Sequence, residues 1–241
     1  MRAIVAVEFG GHTSGTSDGE QRQEGRQTDP WAVLPRVAAI TRVCAYDRPG
    51  TTRFGGGLSP STPVAQPTTA GDGVADLRAL LDAAGEPGPY VLVGASWGGM
   101  IIKLYASTYP DDVAGLVFVD GASDLLKVTF TPAQWTGWMQ MTSAVPEDLE
   151  APDYEPSVQE ILAADPAPTV PAVVLTAEVP WDLKVGEGST WPAWLQAQDR
   201  LATELGAKHI TDTNSGHPIA LEQPQLVIDS IRQVVEEVRS Q

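Results

Sequence analysis

The ten residues from Tyr90 to Gly99 constrain the fold of this chain more than any other segment. Tyr90 to Val93 is a short apolar run, the turn Gly94-Ala-Ser-Trp-Gly98 follows, and a helical pattern begins at Met100. Between a strand and a helix, a G-x-S-x-G turn holds its serine in a strained conformation, with the hydroxyl above the sheet edge. Glycines flank the serine because neighbouring backbone crowds the turn. The pattern predicts that Ser96 is a nucleophile.

The alternative interpretation is a glycine-rich turn with an incidental serine, as in a nucleotide-binding crossover. Neither G-x-G-x-x-G nor G-K-[ST] occurs in the sequence, which favours the nucleophile.

Composition limits the classes of partner. Thirty-one acidic residues against fifteen basic ones give a net charge of −16, so nucleic acid and anionic membrane surfaces are poor partners. Cys44 is the sole cysteine, which excludes an intramolecular disulfide and a cysteine-rich metal cluster. Ile4 to Val7 is too short for a signal sequence, and no apolar run is long enough for a membrane span. We expect a cytoplasmic protein; self-association into a homo-oligomer stays open.

Strand and helix patterns alternate along the chain, which predicts an α/β fold with a mainly parallel sheet covered on both faces. Polar or Gly/Pro-rich loops are expected at 13–29 and 51–69. Predicted strands lie at 4–7, 42–46, 90–93, 113–119, 171–176 and 207–211, with helices at 30–40, 73–84, 100–109, 191–205 and 224–238.

The stretch from 123 to 168 breaks this alternation. It carries Trp135, Trp138, Met139 and Met141 at helical spacing, followed by acidic and proline-rich sequence.

A serine nucleophile needs an imidazole base, and the chain has three histidines. His217 lies in a loop between the last strand and the last helix, at the sheet edge where such folds collect their chemistry. His209 lies inside a strand and is interpreted as a packed or surface residue. His12 follows the first strand, where it could contact substrate. His217 is therefore the predicted base.

The third member of the triad should lie between the serine and the histidine in the sequence. Asp120 ends one predicted strand, and Glu178 and Asp182 follow the next one. These positions by themselves leave the choice open.

The oxyanion formed during acyl transfer needs two backbone N–H donors. The amide after the nucleophile, at Trp97, is one candidate. The glycine-rich turn after the first strand would supply the other from Gly11, with Gly10 or His12 as neighbouring alternatives.

Taken together, these motifs resemble the α/β-hydrolase fold family. They comprise the elbow at Ser96, the strand end Val43–Gly50, and the Ser215-Gly-His217 loop before a helix opened by Gln-Pro. The resemblance covers nearly the whole chain, which would begin at the third strand of that fold. It implies a core of residues 1–120 and 169–241 and a small helical cap of residues 121–168.

The resemblance also bears on the acid and on the substrate. Where many members carry the acid, this chain has Pro180, whereas members similar to haloalkane dehalogenases carry it near the position of Asp120; Asp120 is therefore favoured over Asp182. In the implied cap, Trp135 and Trp138 would line the substrate site, or would merely pack the cap onto the core.

We therefore expect a serine hydrolase that cleaves a small to medium carboxylic ester, lactone or thioester through an acyl-enzyme. The expected partner is that small-molecule substrate, and no metal or organic cofactor is required. The alternatives are a ligand-binding or receptor protein, and a non-hydrolytic enzyme of the same fold, such as a perhydrolase or a cyclase.

Overall fold

The computed structural model of the protein describes residues 4–8, 33–51, 57–181 and 188–241. Each of the six predicted strands is present in it. Their bounds are Ile4–Glu8 (β1), Arg42–Ala45 (β2), Tyr90–Ala95 (β3), Val113–Val119 (β4), Ala172–Leu175 (β5) and Lys208–Ile210 (β6).

These strands form one sheet in the order β2-β1-β3-β4-β5-β6, and every neighbouring pair is parallel. The predicted parallel sheet is therefore confirmed. Because parallel strands bring their carboxyl ends to one edge, the segments that follow β3, β4, β5 and β6 emerge on the same side.

Helices cover both faces of the sheet. They are Val33–Ala38 (α1), Ala70–Ala84 (α2), Gly98–Thr108 (α3), Leu126–Thr129 (α4), Pro132–Ser143 (α5), Tyr154–Ala163 (α6), Trp191–Leu205 (α7), Ile219–Glu222 (α8) and Pro224–Ser240 (α9). Successive strand residues point to opposite faces. Leu92 and Phe118 accordingly belong to the core beneath α2, α3 and α7, whereas Val93 and Val117 belong to the core beneath α1 and α9.

Helix termini differ from the predicted ones for local reasons. The prediction started α2 at Gly73, but it begins at Ala70 because Thr69 and Asp72 form a reciprocal capping box. The prediction started α3 at Met100, but the helix already includes Gly98. The described part of the first helix is limited to Val33–Ala38, since the residues before it lie outside the described ranges.

Segment 121–168 contains three helices, of which only α5, which carries the tryptophans, was predicted. The second half of the segment, interpreted as acidic and proline-rich sequence, contains α6. Pro156 is compatible with that helix because it lies in the first turn, where the backbone N–H has no intrahelical acceptor.

The α6 half of this segment is attached to the loop that follows β2. Arg48 donates two hydrogen bonds, of 2.6 and 2.7 Å, to the carboxylate of Glu150, and both side chains are buried. Thr68 pairs with Pro152, and the Asp153 amide donates to the Thr68 carbonyl at 2.8 Å. Nearby, the described part of the 51–69 loop, residues 57–69, contains no helix or strand, as expected.

Candidate active site

Ser96 occupies the turn between β3 and α3 with φ +52°, in the left-handed region that non-glycine residues rarely adopt. A side chain at Gly94 would place its Cβ 2.5 Å from the carbonyl oxygen of Gly98, so this position must be glycine. The turn is therefore as tight as the sequence pattern predicted.

Backbone hydrogen bonds join this turn to the end of β4. The Ser96 amide donates to the Val119 carbonyl at 3.4 Å, and the Ala122 amide donates to the Ser96 carbonyl at 2.7 Å. Asp120 lies between these two contacts and has φ +44°. Ser96 and Asp120 are thereby held on neighbouring strand ends at the same edge of the sheet.

The carboxylate of Asp120 contacts the imidazole of His217. Asp120 Oδ2 lies 2.6 Å from His217 Nδ1, across 97 residues of sequence. Asp120 is completely buried, whereas 30% of the His217 side chain is exposed. A buried carboxylate at Nδ1 holds the imidazole in the orientation and tautomer that leave Nε2 free to accept a proton.

The loop that carries His217 is held by two glutamates. Glu178 accepts a hydrogen bond from the Asn214 amide at 2.7 Å. Glu222 accepts from the Ser215 hydroxyl at 2.8 Å and from the Gly216 amide at 2.9 Å. Glu178, one of the candidate acids, therefore bonds the backbone of this loop.

Backbone strain is concentrated at this site. In the described ranges, the non-glycine residues with positive φ are Ser96, Asp120 and Asn214. The first two carry the candidate nucleophile and acid, and the third precedes His217 by three positions. Such strain persists only where surrounding contacts impose it, and it is typical of functional sites.

Aromatic side chains surround His217. The Trp181 ring lies 4.2 Å from the imidazole, centroid to centroid, with a tilt of 34°. Trp194 approaches the imidazole edge-on at 6.0 Å and also contacts Trp181 at 4.8 Å. The imidazole of His217 thus lies against two indole rings, which cover part of its surface.

The two predicted substrate contacts in α5 are both buried. Trp138 packs at 5.8 Å from Trp194 and at 5.6 Å from Tyr154, which connects it to the rings around His217. Trp135 donates its indole N–H to Glu155 at 2.6 Å, and the ammonium of Lys127 lies over its ring at 4.7 Å. Trp135 reaches the same cluster through Tyr154, at 6.4 Å.

Trp97 directly follows Ser96 and precedes the first turn of α3, where backbone amides have no intrahelical acceptor. The other predicted donor, Gly11, lies outside the described residues, as do its alternative Gly10, the substrate contact His12 and the candidate acid Asp182.

The structure groups Ser96, Asp120 and His217 at one sheet edge. Although Ser96 and His217 are both described, their side chains are not hydrogen bonded to each other. His209 lies apart on β6, where its Nε2 contacts the Thr176 hydroxyl at 2.8 Å. Burial lowers the pKa of His209, and the Asp199 carboxylate opposes that effect. His209 thus behaves as a packed histidine.

Sequence reasoning missed three residues of this site: Trp181, Trp194 and Glu222. Trp194 lies in a correctly predicted helix, but no local pattern shows which residue an indole N–H contacts. Glu222 could have been found from the sequence, because it lies five residues after His217 and its side chain is long enough to reach the preceding loop.

Within the described part of the chain, no group of three or more His, Cys, Asp or Glu side chains is arranged to hold a metal ion. No helix in the same ranges is long and apolar enough to cross a membrane.

Comparison with known proteins agrees with this architecture. Lipase LipV of Mycobacterium tuberculosis is 37% identical over 93 residues, which are 39% of this chain and 31% of that protein. An uncharacterized protein of Schizosaccharomyces pombe is 35% identical over 100 residues, 42% of this chain and 17% of its own length. The matches therefore span less than a third of either relative.

Among solved structures, alpha/beta hydrolase domain-containing protein 10 from mouse superimposes with a TM-score of 0.60 at 19% identity. The match covers 98% of this chain and 90% of the mouse chain, and it shows a shared fold. The sequence model of the alpha/beta hydrolase fold family matches residues 27–210 of this chain. With the parallel sheet, the serine turn and this match over more than half of its length, the chain belongs to the alpha/beta hydrolase fold family.

Proposed function

We propose that the protein is a serine hydrolase in which Ser96 is the nucleophile, His217 the general base and Asp120 the acid of the triad. The Ser96 Oγ attacks the substrate carbonyl carbon while His217 Nε2 takes the hydroxyl proton. His217 then donates that proton to the leaving group, and a water activated by the same imidazole releases the acid from the acyl-enzyme.

The contact between Asp120 and His217 is the observation that carries this proposal. Burying a carboxylate costs free energy unless the group is paired and hydrogen-bonded, and the fully buried Asp120 faces the His217 imidazole at 2.6 Å. The pair lies at the edge where the strained Ser96 turn is tied to the end of β4. Nucleophile–base contacts are often longer before substrate binds, so the absent Ser96–His217 hydrogen bond is compatible with the mechanism.

The proposed oxyanion donors are the amides of Trp97 and Gly11. Segment 121–168 is proposed as a cap over the site, with Trp138 and Trp135 in its lining and His12 as a further substrate contact. The aromatic surroundings of His217 favour an apolar acyl or alcohol group. We propose a small to medium carboxylic ester, lactone or thioester as substrate, and the lipase name of one relative supports ester chemistry.

The test combines turnover with covalent labelling. The protein should hydrolyse p-nitrophenyl butyrate and react with a fluorophosphonate, and Ser96→Ala should abolish both. Loss of a triad nucleophile costs about 10⁶-fold in kcat in a well-studied serine protease. Ser107→Ala is the matched control, because Ser107 is a buried serine near the opposite end of α3.

Two outcomes would contradict the proposal. One is equal turnover by Ser96→Ala and the unaltered protein. The other is fluorophosphonate attached to a peptide that lacks Ser96. Saturable ester binding without any turnover would instead support the binding-protein alternative.

A further inference from the structure

The two carboxylate oxygens of Asp120 have different partners. Oδ2 faces His217 Nδ1, whereas Oδ1 accepts two hydrogen bonds, from the Ala177 amide at 3.1 Å and from the indole Nε1 of Trp194 at 2.9 Å. The amide comes from the residues after β5, and the indole comes from α7, 74 residues away. A side chain thus supplies half of the hydrogen bonding to Oδ1.

Trp194 is held rigidly enough to aim this N–H. Its side chain is 2% exposed and packs against the rings of Trp138 and Trp181. One turn later on the same helix, the Gln198 amide group donates to the Gly121 carbonyl at 2.7 Å. Helix α7 therefore holds both the carboxylate of Asp120 and the backbone that follows it.

The chemistry of the two donors decides the role of Oδ1. A peptide N–H and an indole N–H can only donate, so Oδ1 must be an acceptor and cannot carry a proton toward them. With Oδ1 held by these donors, Oδ2 faces His217 Nδ1. An ionised carboxylate accepts the Nδ1 proton at Oδ2, and the imidazole then has Nε2 free as the base. The indole also fixes the rotation of the carboxylate about its side-chain bond.

We infer that Trp194 is a positioning residue, whose indole N–H holds Asp120 in the orientation that makes His217 a base toward Ser96. The inference rests on the proposed function for its kinetic consequence. Its structural consequence, a restrained Nδ1 proton on His217, follows from the Asp120 contacts themselves.

The kinetic experiment removes the N–H and keeps an aromatic ring. Trp194→Phe should lower kcat for p-nitrophenyl butyrate about tenfold, the effect of losing one hydrogen bond to a charged group, with little change in KM. The acid limb of kcat/KM should move to higher pH, because the less neutralised carboxylate retains the imidazole proton more strongly.

The charges around this imidazole are few in the described ranges. Asp120 contacts the ring itself, whereas Glu222 and Glu178 bond the loop backbone. Neither glutamate is altered by the substitution. A shift of the acid limb is therefore assigned to the Asp120 contact.

Trp191→Phe is the matched control. Trp191 lies in the same helix and contacts Trp181 at 6.3 Å, but its indole does not bond Asp120. The Trp191→Phe variant should have the same kcat and the same pH profile as the unaltered protein. A purely packing role for Trp194 would lower the amount of folded protein without moving the acid limb.

A second variant and a second measurement keep the test independent of folding and of activity. Replacing Trp194 by benzothienylalanine exchanges the N–H for sulfur at nearly constant shape. In ¹⁵N-histidine-labelled protein, which has three histidines, the Nδ1 proton of His217 should exchange with water faster in both variants than in the unaltered protein.

Unchanged proton exchange and an unchanged pH profile in the benzothienylalanine variant would overturn the inference. Faster exchange in a protein that lacks esterase activity would uphold the positioning role and contradict the proposed function instead.

Discussion

At the scale of the residue, Asp120 shows how one position combines strain, burial and charge. It adopts φ +44° and is completely buried, yet each oxygen of its carboxylate has a hydrogen-bonding partner. The two groups at Oδ1 can only donate, so this position must be occupied by an acceptor, and the other oxygen of the side chain faces His217.

This asymmetry gives a sharp prediction for Asp120→Asn. The Ala177 amide and the Trp194 indole require the amide oxygen of the asparagine, so its NH₂ group would face His217 Nδ1. The imidazole would then carry its proton on Nε2 and could not accept one from Ser96. We expect kcat to fall about 10³–10⁴-fold with KM nearly unchanged, measured on p-nitrophenyl butyrate.

Glu178→Gln is the control for that variant, because glutamine keeps an oxygen to accept from the Asn214 amide. It should retain nearly full activity. Asp182→Asn tests the other candidate acid. A loss of several orders of magnitude in Asp182→Asn, with Asp120→Asn still active, would reassign the triad.

At the scale of the element, the proposed cap is anchored through α6. Besides the Arg48–Glu150 pair, the Ser157 hydroxyl accepts from the Ala70 amide at 2.8 Å, and Glu160 accepts from the Gly71 amide at 2.8 Å. Both amides belong to the first turn of α2, whose donors have no intrahelical partner. Segment 121–168 therefore supplies hydrogen-bond acceptors to the free backbone amides at the start of α2.

The buried ion pair should be strongly coupled. Glu150→Leu alone, or Arg48→Met alone, should lower the free energy of unfolding by about 3–5 kcal/mol, because each leaves the other charge buried without this partner. The double variant should lose much less than the sum of the two. Urea unfolding of all four proteins measures the coupling.

Arg232→Gln is the surface control for this cycle, since Arg232 forms an exposed ion pair with Asp229 within α9. It should change stability by less than about 1 kcal/mol. Strictly additive losses in the Arg48 and Glu150 variants would show that the pair does not hold the segment to the core.

At the scale of the whole molecule, the net charge of −16 acts on stability. Self-repulsion among like charges destabilises a compact state, and salt screens it. The acidic excess should therefore make the protein more stable as ionic strength rises.

Thermal unfolding at pH 7 checks this expectation. Raising NaCl from about 10 mM to about 0.1 M shortens the Debye length from about 30 Å to about 10 Å, so Tm should increase. KCl should give the same increase, and the gain should shrink toward the isoelectric point near pH 4.4. A constant or falling Tm at pH 7 would contradict the expectation.

Local signals in the sequence determined most of the fold. The strand Val113–Val119 and the helix Trp191–Leu205 have the predicted bounds, because a buried strand is read from an apolar run and a helix from its periodicity. The turn at Ser96 was equally predictable, since its glycines are required within two residues of the serine.

Only the tertiary structure decided which distant side chains meet. Asp120, Glu178 and Asp182 are all acidic residues that follow strand ends; the family resemblance favoured Asp120, but no residue pattern shows which carboxylate contacts His217. The 2.6 Å contact of Asp120 with His217 and the indole of Trp194 at its other oxygen depend on strand order and on how α7 packs. The physical reason is that propensity acts over a few residues, whereas these hydrogen bonds join positions 74 and 97 residues apart.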